Sequence, residues 1–191
     1  MNNRLVISST IGFMCIGLTL WMGGMLYAGW FPMQGAYGYG GATLFTLGTV
    51  LLGVMAILSF FHGRTLDAVI FFGVSGLFFT LHAAMHHGIV MGAPAESGGY
   101  HAWFDCVFAV FFFYVWLGSF SSGGARMLFL LGMWLALLAG AVYHWTHVEF
   151  FIYICGYILL ITALTATYIS AAEIINHGNG KVVLPTGSRD A

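Results

Sequence analysis

Apolar residues fall into six long blocks along the chain, and the breaks between them are where glycine, proline and charge gather. The blocks cover roughly 6–30, 37–61, 66–86, 100–120, 125–144 and 149–175. Each reaches the ~20 mainly apolar residues that a helix needs to cross the hydrocarbon core of a bilayer. The pattern predicts an all-α membrane protein: six transmembrane helices over residues 1–175 and a polar tail at 176–191. The first block is longer than the apolar core of a secretory signal, so a retained helix is expected there.

Composition explains why the blocks cannot be the core of a water-soluble domain. Of 191 residues, 60% are hydrophobic and 6% charged, against roughly 25% charged in soluble domains. A lipid bilayer is therefore the expected surrounding. A net charge of −1 leaves no basic footprint for nucleic acid. Cys15, Cys106 and Cys155 all lie in apolar runs without metal-ligand spacing, which predicts buried thiols.

Charge also sets the direction. Arg4 precedes the first block, Arg64 separates the second from the third, and Arg126 lies where the fourth gives way to the fifth. Lys181 and Arg189 follow the sixth. With six crossings all five basic residues lie on one side, which the positive-inside rule assigns to the cytoplasm. Both termini are then cytoplasmic, in a plasma (inner) membrane. Aromatic residues such as Trp30, Tyr100, Trp103 and Trp145 fall near the opposite ends, as interfacial belts do. The 27 glycines predict helices that approach closely.

Eight histidines stand out in so apolar a chain. Six of them, His82, His86, His87, His101, His144 and His147, fall toward the outer side together with Asp105 and Glu149. His101 and Asp105 are one turn apart on a single helix face. At ~1.5 Å per residue, His82 sits ~9 Å and His144 ~12 Å from mid-span, inside a hydrocarbon half-layer of ~15 Å. Ionisable groups at that depth face a bundle interior or mark a pathway. Proton entry or acid sensing is one chemistry such a cluster offers. A metal site on His82, His86, His144 and His147 is a second, and a haem held by a histidine pair is a third. No HExxH-type spacing is present, so no metal or cofactor is assigned. Neither a catalytic triad nor a phosphate-binding loop is present, and an enzyme is not expected.

On the inner side, Asp67 falls in the first turn of the third helix, where a carboxylate complements the helix dipole. Glu173 falls in the last turn of the sixth, where the dipole opposes it. It should therefore have a cationic partner among Arg64, Arg126 and Lys181.

The stretch YISAAEIINHGNGKVVLPTG, with Tyr168, Glu173, Asn176, Gly180, Lys181, Leu184, Pro185 and Gly187, resembles the acetate uptake transporter family, the succinate–acetate permease group. The runs GRT at Gly63–Thr65 and GAR at Gly124–Arg126, with IGF at Ile11–Phe13, fit the same family in order. Departures are visible too. Ser8, Ser9 and Thr10 stand where the family carries an Asn-Pro-x-Pro-type motif, and a family tyrosine falls on Val74. The resemblance implies a six-helix bundle assembled as a homo-oligomer, a hexamer, with a pathway through each protomer. It also implies a hydrophobic constriction at Ile16, Val74 and Leu135.

A transporter or channel for small monocarboxylates follows, with acetate first and succinate as a second substrate. Apart from Arg126 at the edge of the fifth block, no Lys or Arg lies in the spans, so the anion is expected to travel with a proton, past the hydroxyls of Ser75, Thr80 and Tyr168. Burying a lone carboxylate costs several kcal/mol, and protonation removes most of that. His82 and His144 would couple passage to outer pH. The alternatives are a metal- or haem-binding membrane protein and a proton-gated channel for urea or short amides.

Overall fold

The computed structural model describes residues 3–31, 39–90 and 98–187, and their side chains at 8–31, 48–80 and 99–187. These residues form six helices: α1 (Asn3–Tyr27), α2 (Tyr39–Phe61), α3 (Thr65–Val90), α4 (Gly98–Gly118), α5 (Gly124–Thr146) and α6 (Glu149–Asn179). In hydrocarbon every backbone N–H and C=O must be satisfied within the chain, and a helix does so within a single segment. Four of the helices are long and apolar enough to cross a membrane, and α2 and α3 carry shorter apolar stretches among the described side chains. The chain is a multi-pass membrane protein.

The helices start and stop within a few residues of the expected blocks; α3 and α6 each run four residues further. Helix α6 runs past residue 175 to Asn179, so Asn176 and His177 belong to the helix. It ends at Gly180, whose left-handed backbone (φ 64°) carries no steric cost for glycine. The short turn between α5 and α6 uses His147 in the same conformation (φ 54°), its N–H donating to the Tyr143 carbonyl.

Neighbours in sequence are mostly neighbours in space, and the first helix meets the last. Helix α1 packs most extensively against α6 and also against α2; α2 packs on α3, α4 on α5, and α5 on α6. A smaller contact between α3 and α4 completes a ring. Glycine permits the closest approaches. The missing side chain of Gly12 leaves room for the Phe71 ring, and Gly156 lies against the backbone of Tyr27 and Ala28. A methyl group at Gly156 has rigid backbone in its way, so Gly156→Ala should cost about 1–3 kcal/mol through overpacking. A lowered thermal midpoint in detergent checks this, with the unobstructed Gly178→Ala as control. An unchanged midpoint would mean that α1 and α6 do not meet there.

The ring's interior is filled by apolar side chains. Phe13, Ile16, Leu52, Ile70, Phe71, Val74, Phe112, Phe129, Leu130, Met133 and Ile169 are fully buried in one cluster. Its outer surface is apolar as well, with Leu18, Val54, Phe72, Val110, Ile161 and Leu164 exposed. That combination suits a bundle solvated by lipid.

Candidate functional site: an aromatic barrier between two polar ends

Three aromatic side chains from three helices meet inside the ring. The Phe13 ring (α1) lies 5.3 Å from that of Phe71 (α3) and 5.6 Å from that of Phe129 (α5), edge to face in both cases. All three are fully buried, in the arrangement aromatic quadrupoles favour. Ile16 and Val74 lie one turn further along α1 and α3, and Met133 and Leu130 continue the layer from α5.

The end of the bundle that carries both chain termini holds a charge network directly beside the barrier. Arg126, in the first turn of α5, pairs with Asp67 through Nε (3.2 Å) and with Glu173 through Nη2 (2.8 Å). Arg64 pairs with Asp67 (2.6 Å) and, more distantly, with Glu173 (3.4 Å). Ser9 and Thr10 donate to the two Glu173 oxygens at 2.8 and 3.1 Å. The Asp67 side chain is only 4% exposed, that of Arg126 13% and that of Glu173 14%. Two guanidiniums and two carboxylates sum to zero, which is what makes their shared burial tolerable. The Arg126 guanidinium also lies 5.7 Å above the Phe13 ring, a cation–π contact that ties the network to the barrier.

Polar groups recur at the far end. Asp105 is two turns from the fully buried Phe112, so it returns to within about 20° of the same face of α4. His144 follows Met133 by three turns and returns to within about 20° of the inward face of α5. His144 Nε2 lies 3.7 Å from the Asp105 carboxylate, and His101 stacks on His144 with centroids 5.4 Å apart. Gly140 makes room for Asp105: a Cβ there would sit 2.9 Å from its Oδ2.

Several expected site residues stand elsewhere. Leu135 is two residues beyond Met133, hence about 200° around α5; it lies off the buried face, whereas Met133 and Phe129 belong to the buried cluster that holds Ile16 and Val74. Tyr168 is exposed and donates to the Pro185 carbonyl (2.7 Å). The Ser75 and Thr80 hydroxyls donate to the Thr49 and Gly76 carbonyls. The spans are not free of cations, because Arg126 is helical and inward. His147 and Glu149 are exposed at the α5–α6 turn. The side chains of His82, His86 and His87 lie outside the described residues. No three His, Cys, Asp or Glu side chains among the described residues gather as metal ligands.

The tail residues that carry the resemblance form a clamp. Asn176 accepts from the Val183 and Leu184 amides (2.7 and 2.8 Å) and donates to the Leu184 carbonyl (2.8 Å). The Ala125 amide donates to Thr186 (3.3 Å), and Gly187 lies against the backbone at Gly124. The segment is thus folded back onto the start of α5. Phe13, Phe71 and Phe129 are the residues sequence reasoning passed over, and Asp67, expected to serve the helix dipole alone, also binds two arginines. Phe13 was within reach, being the last residue of the IGF run.

No family model and no curated protein sequence matches the chain. Among solved structures, one described as the structure of the bacterial acetate channel SatP superposes with a TM-score of 0.85. The match covers 98% of this chain and 99% of that one at 18% identity. The likeness is one of fold, and it extends over the whole six-helix ring.

Proposed function

We propose that this chain carries small monocarboxylates, acetate foremost, across a membrane along the axis of its bundle. The observation that carries the reading is the phenylalanine barrier, set between two polar ends in a fold shared end to end with a protein described as an acetate channel. A constriction of phenylalanine rings holds back inorganic ions and hydrated solutes, because stripping their water costs several kcal/mol or more. A small carboxylic acid that carries its proton avoids most of that penalty, which favours proton-linked passage. The gathering of basic residues at the terminal end supports a cytoplasmic placement for it. In this reading the protein resides in the plasma (inner) membrane, His144 and Asp105 face the outside, and copies assemble as a homo-oligomer, a hexamer.

Labelled acetate flux into proteoliposomes, corrected for protein-free vesicles, tests the reading. Flux should exceed the background and rise several-fold as outer pH falls through the histidine range, from about 7.5 to about 5.5. The sign follows from the substrate: acid outside raises the share of neutral acid, which crosses an apolar layer at far lower cost than its anion. The His144→Gln, Asp105→Asn double variant should flatten that rise. Background-level flux in the intact protein would sink the function, and an unaltered pH profile in the variant would remove the outer pair from it.

A further inference from the structure

We infer that the donors converging on Glu173 form a binding site for the carboxylate of the transported acid, filled in this structure by the chain's own side chain. The inference rests on the axial route proposed above and names a resting place for the substrate at its terminal end.

Four donors from three separate parts of the chain meet one carboxylate: Ser9 and Thr10 of α1, Arg64 before α3, and Arg126 of α5. Ser9 is fully buried and Thr10 9% exposed. A tie between helix ends needs a single ion pair; this arrangement instead surrounds both oxygens, with hydroxyls and guanidinium N–H groups matched to a small planar anion. Position matters as well, because Arg126 touches the Phe13 ring and is the first cation beyond the barrier. Without Glu173, the facing charged groups are Arg64, Arg126 and Asp67, which sum to +1. One monocarboxylate restores neutrality, whereas a dicarboxylate overshoots it.

The exchange keeps its charge balance if the acid arrives protonated. Its O–H bond breaks, an O–H bond forms on Glu173, and the substrate anion takes the guanidiniums that Glu173 leaves.

Chemical rescue of the full-length protein in detergent tests the site. Thermal midpoints of Glu173→Ala and Glu173→Gln are titrated with acetate, with chloride at matched ionic strength, and with acetamide. Acetate alone should raise the midpoint of Glu173→Ala saturably by several degrees. The intact protein should need at least tenfold more acetate for the same rise, and Glu173→Ala combined with Arg126→Gln should not respond. Indifference of folded Glu173→Ala to acetate, or an equal response to chloride, overturns the site. Where Glu173→Ala does not yield folded protein, indifference of Glu173→Gln overturns it equally. Flux by the intact protein separates the two ideas: a conducting protein with an acetate-blind Glu173→Ala keeps the route and loses the site. Rescue in a protein that conducts nothing keeps the site and loses the route.

Discussion

Replacing Phe129 with alanine should raise acetate flux roughly tenfold, the change that follows from taking about 1.4 kcal/mol off the barrier. Phe129 packs edge-on to Phe13, which in turn meets Phe71. Removing one of three interlocked rings opens space that the other two cannot refill while they remain in their rotamers. The substitution also removes a fully buried side chain, at a typical cost of about 3–5 kcal/mol. Flux must therefore be read on protein shown to be folded, with Phe129→Leu as a milder companion that should raise flux less. Leu135→Ala is the internal control. Leu135 lies away from the buried face of α5, so its truncation should leave flux within about twofold of wild type, well short of the tenfold change at Phe129. Equal effects at the two positions, or no effect at Phe129, would remove the barrier from the phenylalanine layer.

The second large effect is on stability. Arg126→Gln should cost about 3–5 kcal/mol, the usual consequence of removing one partner from a buried ion pair. Asp67 and Glu173 would then share Arg64 alone, and the summed charge would fall from zero to −1. Arg126→Lys should recover only part of the loss. A single ammonium does not reproduce the Nε contact to Asp67, the Nη2 contact to Glu173 and the stacking on Phe13 together. The Arg126→Gln, Glu173→Gln double variant restores neutrality, and it should be more stable than the sum of the single losses predicts. Denaturation midpoints of the four proteins measure this cycle. Strict additivity, or a single-variant cost below about 0.5 kcal/mol, would show that the four residues behave as solvated surface charges.

The helical architecture was legible from the apolar blocks because bilayer thickness fixes helix length and charge fixes the breaks. Glu173 was legible in part. Its expected place in the last turn of the sixth helix called for a cation, and two of the three candidates supply it, but α6 runs six residues further, so burial beside Arg64 and Arg126 and not the dipole accounts for the pairing. Asp67 misled for the opposite reason: a good dipole position explained it locally, and a local explanation says nothing of the two arginines it also binds. Leu135 failed on phase. An error of two residues in placing a family position turns a helix by about 200°. The phenylalanines were hidden by abundance, since a chain with 18 of them offers no pattern that marks the three which meet.

The network beside the barrier also constrains how the protein is made. Ser9 and Glu173 are bonded across 164 residues, and α1 finds its largest partner in α6. During synthesis the early helices must wait in the bilayer, with two arginines and a single aspartate among the partners made so far, until nearly the whole chain has emerged. Long-range closure of this kind is slow to achieve, so ring assembly is set by the arrival of the last helix. Chains cut short before residue 173 would be left as open, charge-imbalanced intermediates for the cell's quality control to remove.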